Sequence, residues 1–202
     1  MLRLYDFHDS GNGYKVRLLL AMLGIAHDYV EVDILAGETR TPAFLEKNPN
    51  CRIPVLELGD GACLAESDAI LFYLAEGTPF LPIDRLERAR VLQWMFFEQY
   101  SHEPYIAVCR FWLKHLEMTE DRRALLAEKQ ERGRAALEVM ERHLEGRTFF
   151  VGDSCTIADI ALYAYTHVAP EGGFDLAGFP GVCAWLERIR RQPGHVPITR
   201  TV

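Results

Sequence analysis

"HDSGNGYKVR", His8 to Arg17, is the stretch on which the fold turns. The residues before it, Leu2 to Phe7, alternate apolar and polar with period two, as a half-buried strand does. From Gly13 to Leu23 apolar residues recur at helical spacing, and Gly24 follows as a helix stop. Ser10, Gly11, Asn12 and Gly13 therefore fall between the end of a strand and the start of a helix. Backbone N–H groups at such a helix end lack intrahelical acceptors, and the dipole is positive there, so a negative atom is favoured beside them. Two uses fit this turn: Ser10 or Asn12 caps the helix, or the turn holds a reacting group at the helix N-terminus.

Working outward, His27 to Ile34 alternates as a second strand and Thr41-Pro42 opens a short helix. Arg52 to Leu58 and Ala62 to Leu64 flank "GDG", a hairpin signal, and a helix pattern runs from Ser67 to Glu76. The order β-α-β-α-β-β-α predicts a mixed sheet with helices on its faces. "GTPFLPID", Gly77 to Asp84, has two prolines and no periodicity and reads as a linker. Beyond it no strand signal is convincing. Leu86 to Leu116, Thr119 to Leu144, Ile157 to Val168 and Val182 to Arg191 are helix patterns, with Pro104 expected to kink the first. The expected domains are 1–76, an α/β unit, then a linker over 77–85 and an all-helical domain over 86–202.

Composition narrows the function classes. The 202 residues are 49% hydrophobic and 25% charged, as in ordinary globular proteins. The longest apolar runs fall far short of the roughly 20 residues that span a bilayer, and the N-terminus lacks the apolar stretch of a secretion signal. The expectation is a cytoplasmic protein with no membrane partner. Cys51, Cys63, Cys109, Cys155 and Cys183 are odd in number and scattered, which predicts reduced thiols and neither a disulfide framework nor a metal cluster. A net charge of −7 argues against nucleic acid as a partner.

Two further motifs stand beside the first. In "NPNCRIPVLEL" Pro54 cannot donate to a ladder and belongs at a strand start or edge. Ile-Pro bonds are cis about 5% of the time in folded proteins, and a cis bond here would turn the Ile53 backbone outward to pair with an extended peptide. In "AESDAI", Ser67 at a helix start can hold a carboxylate and Glu66 an amine; equally, Ser67 can be a plain cap with Asp68 complementing the dipole.

Taken together, a strand, S-x-N-G-x-K-V-R, NP-x-x-x-IPVL, ES-x-AI-x-x-YL, a proline linker and a helical half containing "TIADIAL" resemble the cytosolic glutathione transferases over essentially the whole chain. The resemblance implies a thioredoxin-like glutathione-binding domain, an all-helical domain lining a second-substrate site, and a homodimer. It places Ser10 where the theta, zeta and tau classes keep an activating serine, and "SGNGYK" is similar to the T-P-N-G-H-K of the nu class, in which Asn and Thr both approach the sulfur. Ser10, with Asn12 assisting or replacing it, is the expected catalytic pair. Ile53 and Pro54 would meet the cysteinyl backbone, Glu66 and Ser67 the γ-glutamyl group, and Arg40 and Arg52 the glycyl carboxylate. The implied activity is activation of the glutathione thiolate against an electrophilic small molecule. Alternatives are reduction of a disulfide or peroxide in the nu-class manner, or glutathione binding without turnover. No metal is implied.

In the helical half, Thr156 and Asp159 read as a capping box, a structural feature. Trp94, Phe96, Phe97 and Tyr100 read as core or dimer packing. Tyr105, Arg110, Trp112 and His115 follow the expected kink, where the family's second-substrate site tends to lie, and are candidates to line it.

Overall fold

A computed structural model describes residues 1–200. Strand β1 (Leu2–Asp6) lies centrally in a four-stranded sheet, order β2-β1-β3-β4, parallel to β2 (His27–Glu31) and antiparallel to β3 (Val55–Glu57), which pairs antiparallel with β4 (Cys63–Ala65). Helix α1 (Gly11–Leu23) supplies the crossover that two parallel strands require. Its Val16 and Leu18 to Leu20 are fully buried, as are Leu4, Val55 and Leu56 of the sheet and Ile70 and Leu71 of α3 (Ser67–Ala75). Each such side chain contributes about 1.5–3 kcal/mol relative to exposure. Gly24 ends α1 at φ 66°, its N–H bonded to the carbonyls of Leu20 and Ala21. The mixed sheet and helix order are those the sequence predicts.

Two strands are shorter than their sequence patterns. β2 stops at Glu31 because the Asp33 carboxylate takes the N–H groups of Leu35 and Ala36 and turns the chain. β3 begins only at Val55, because buried Asn48 folds the preceding stretch on itself: its Nδ2 donates to the Arg52 carbonyl and its Oδ1 accepts from Asn50 N–H. The short helix α2 (Pro42–Leu45) is capped by Thr41, as expected.

The second unit, Gly77 to Arg191, is helical. Asp84 caps α4 (Arg85–Phe97) by accepting from Leu86 and Glu87 N–H. In place of one long kinked helix there is a π turn over Glu98–His102, closed by Glu103 N–H to Glu98 carbonyl, and then α5 (Glu103–His115). Pro104 has no N–H to continue the regular ladder, and the wide turn just before it absorbs the missing donor. Helices α6 (Glu120–Leu144), α7 (Ile157–Thr166) and α8 (Pro180–Arg190) follow.

Every residue of α7 is buried. The expected Thr156–Asp159 box is present, and Asp159 does more than cap: its carboxylate also accepts from Phe150 N–H at 3.1 Å and Trp185 Nε1 at 2.9 Å. Complete burial pushes its pKa up to about 6, against four donors that favour the charged form. Trp94 packs edge-on to Phe150, and Phe150 edge-on to Trp185. The expected aromatic group therefore divides: Trp94 is core, whereas Phe96 and Tyr100 are 69% and 84% exposed.

Residues 192–200 pack in the first unit, with Met1–Glu76, and not with the helices that precede them. The Tyr14 hydroxyl donates to the Val196 carbonyl at 2.6 Å, and Arg17 Nη1 donates to the carbonyls of Ile198 and Arg200.

Candidate functional site

The β3–β4 register sets Val55 opposite Ala65, so Pro54 and Glu66 each adjoin the last pair of the ladder. β1, next to β3, delivers the chain to Ser10 at the head of α1. Three motifs far apart in sequence thus gather at one end of the sheet.

Ser10 is the N-cap of α1, its Oγ accepting from Gly13 N–H at 3.2 Å. Capping and reactivity are compatible, since a hydroxyl that accepts through a lone pair still has its O–H to donate. Gly13 has no alternative: a Cβ there would overlap the Asp6 carboxylate. Asp6 is fully buried against Arg17 at 3.0 Å, and desolvation raises its pKa to about 7 although Arg17 pulls it down.

Asn12 is held from the neighbouring helix. Its Oδ1 accepts from Ser67 Oγ at 3.3 Å, and Ser67 Oγ accepts from Lys15 Nζ at 3.3 Å. Lys15, with no exposed surface, also pairs with Asp68 Oδ1 at 3.1 Å. Burial pushes the Asp68 carboxyl upward in pKa against the pull of Lys15. The plain-cap alternative for Ser67 is set aside, because the N-cap of α3 is Glu66 and Ser67 is already helical. Glu66 sits at φ 67°, a left-handed conformation that a non-glycine side chain adopts at a cost of about 1–3 kcal/mol. It is exposed and offers its carboxylate to solvent.

The Ile53–Pro54 bond is cis. No hydrogen bond among the described residues uses the Ile53 backbone. Arg40, at the end of a 3-10 turn, and Arg52 are exposed. Lys15 and Asp68 are the site residues that sequence reasoning missed. Lys15 lies within the buried run from Gly13 to Leu20, and its charge finds its partner inside, in Asp68.

In the helical unit the four expected second-substrate residues do not form one group. Arg110 is buried and pairs through Nε with Glu171 at 2.8 Å. Tyr105 and Trp112 lie under Lys129, and Tyr105 also accepts from Arg132 Nη1 at 3.3 Å. His115 packs on Phe111. Among the described residues no cluster of His, Cys, Asp or Glu is placed to hold a metal ion, and no helix is long and apolar enough to cross a membrane.

Comparison with known proteins matches both halves of the chain. Residues 1–76 match the model of the glutathione S-transferase N-terminal domain and residues 92–193 that of the C-terminal domain. A crystal structure of a glutathione S-transferase from Pseudomonas fluorescens Pf-5 superposes with a TM-score of 0.97 at 53% identity, covering 98% of this chain and 99% of that one. A structure of Ure2p in complex with glutathione gives 0.86 at 26% identity, over 96% of this chain and 90% of that one. The disulfide-bond oxidoreductase YfcG of Escherichia coli K12 is 32% identical over 96% of this chain and 92% of its own length. With both halves matched in order and the buried polar network at the head of α1 accounted for, the chain belongs to the glutathione S-transferase family.

Proposed function

We propose that the chain binds glutathione at the head of α1 and stabilises its thiolate through Ser10, with Asn12 assisting, for attack on a small electrophile. The observation that carries this reading is the Ser10 hydroxyl at the helix N-terminus, its lone pair engaged by Gly13 and its proton left to donate. A free thiol of pKa ~8.5 is only a few per cent ionised at neutral pH, so useful activation lowers it by ~2 units, about 2.7 kcal/mol. One hydrogen bond to a charged acceptor supplies roughly 1.5–3 kcal/mol, and the helix end about 0.3–1. Those two contributions suffice, and no base or metal is required.

Around the thiol, the Ile53 backbone pairs with the cysteinyl unit and Glu66 receives the α-amine. Ser67 meets the α-carboxylate at the N-terminus of α3, and Arg40 and Arg52 offer cations to the glycyl carboxylate. Tyr105, Arg110 and Trp112 remain proposed neighbours of the second substrate. Phe96 at the end of α4 and Tyr100 in the π turn that follows it, both exposed, support a homodimer.

A second reading, reduction of a disulfide by the bound thiolate, is favoured by the anchored Asn12 and by the similarity to YfcG, a disulfide-bond oxidoreductase. The test is the ultraviolet absorbance of the thiolate, titrated on the protein with glutathione. Wild type is expected to lower the thiol pKa by a unit or more and Ser10→Ala to restore most of it; a shift abolished only by Asn12→Ala transfers the role to Asn12. Absence of any bound thiolate leaves a binding module. Rates with an aryl halide, a mixed glutathione disulfide and an organic hydroperoxide then separate the chemistries.

A further inference from the structure

The fully buried Arg17 joins three pieces of chain. Its Nε donates to Asp6 at the end of β1, and its Nη2 donates to the His8 carbonyl at 2.7 Å. Its Nη1 donates to the carbonyls of Ile198 and Arg200 at 2.8 and 2.9 Å. His8 lies two residues before Ser10, in the loop closed by Ser10 N–H to the Phe7 carbonyl. On the same face of α1, Tyr14 donates to the Val196 carbonyl, and Gly194, at φ 75°, lies so near Met22 and Ala21 that a Cβ would crowd their backbone. The segment 194–200 thus runs along α1 through positions 14, 17 and 21, and it supplies two of the four acceptors of a guanidinium that otherwise holds the loop carrying Ser10.

We propose that Arg17 is a positioning residue for Ser10 and that the segment 195–200 completes its coordination, acting as a strap that keeps the thiolate-activating loop in place. The inference rests on the reading of Ser10 given above. A buried guanidinium deprived of two carbonyls must find other acceptors, and those within reach are the Asp6 carboxylate and the His8 carbonyl, so its orientation and the loop's move together. Glu31 holds the same loop from β2, through His8 N–H and Nδ1, so removal of the strap loosens the loop without releasing it. The contacts to Arg17 are made by backbone carbonyls, so the coupling is blind to the side chains of Ile198 and Arg200.

The experiment compares the full chain, a chain ending at Gly194 and the double variant Ile198→Ala, Arg200→Ala. It measures the pKa of the bound glutathione thiol together with amide hydrogen exchange at His8, Asp9 and Ser10. The shortened chain is expected to raise the thiol pKa by about half a unit or more and to speed Ser10 exchange about tenfold, while the double variant matches wild type. A synthetic peptide of residues 194–200 should restore both. A folded shortened chain with unchanged thiol pKa and unchanged exchange overturns the proposal, as does a double variant that moves them. Should the shortened chain not fold, Tyr14→Phe frees the Val196 carbonyl and is expected to shift both readouts in the same direction by less; no shift there overturns it equally. If wild type shows no bound thiolate, the Ser10 reading fails, and faster exchange on shortening still sustains the strap.

Discussion

At the residue scale the site is defined by charges placed where water is absent. Lys15 and Asp68 are a pair whose value lies in being complete: removing one partner strands the other in the interior, which costs roughly 3–5 kcal/mol. Lys15→Met is therefore expected to destabilise the chain by that amount in chemical denaturation, and Lys15→Met with Asp68→Leu to recover much of it. Gly13→Ala tests a different constraint. With the Asp6 carboxylate occupying the space of the new methyl, it should cost at least about 1–3 kcal/mol and also disturb the Ser10 cap. Ser10, Asn12 and Ser67 stand out in the sequence as candidates, because small polar residues at helix starts suit caps and anion sites alike. Lys15 and Asp68 do not, since each looks like an ordinary surface charge until two helix ends are known to meet.

At the element scale, α7 shows how one carboxylate organises a unit. Asp159 binds its own cap, the Phe150 backbone and the Trp185 indole, so Asp159→Ala should unfold the helical unit well below the wild-type melting temperature, whereas Thr156→Ala should cost only about 1 kcal/mol. The folded pKa of about 6 lies above the ordinary 3.8, so the folded state binds more protons than the unfolded between those values. The Asp159 contribution to stability is then greatest at and below about pH 4 and declines as pH rises through 6. Denaturation of wild type and Asp159→Asn across that window should differ in slope with this sign. Most helix positions were readable from period and caps, but the π turn that divides the expected Leu86–Leu116 helix was not. Strand ends were not: β2 and β3 are cut short by Asp33 and Asn48, whose side chains compete with the ladder for backbone groups, and a run of alternating residues carries no sign of that competition.

At the scale of the whole molecule, the second compact unit begins at Gly77, where the composition changes, while the packing of residues 192–200 with the first unit was invisible in the sequence, because it is made by carbonyls that any sequence possesses. The proposed homodimer belongs here too: Phe96→Glu with Tyr100→Glu should convert the chain to a monomer in sedimentation while the thiol titration persists, and a dimer that survives both changes would relocate the interface. One feature sets a limit on how the chain can change length. The π turn over Glu98–His102 spends one more residue per turn than an α-helix, so it behaves as a spacer in the helical frame. Deleting a single residue there converts the wide turn to α winding and leaves the helix downstream facing nearly as before, whereas a deletion at the start of α5, with no wide turn to absorb it, rotates everything after it by about 100°. Arg110 would swing away from Glu171, and Tyr105 and Trp112 from Lys129. The place between α4 and α5 where the chain can lose one residue without turning α5 is therefore the wide turn itself.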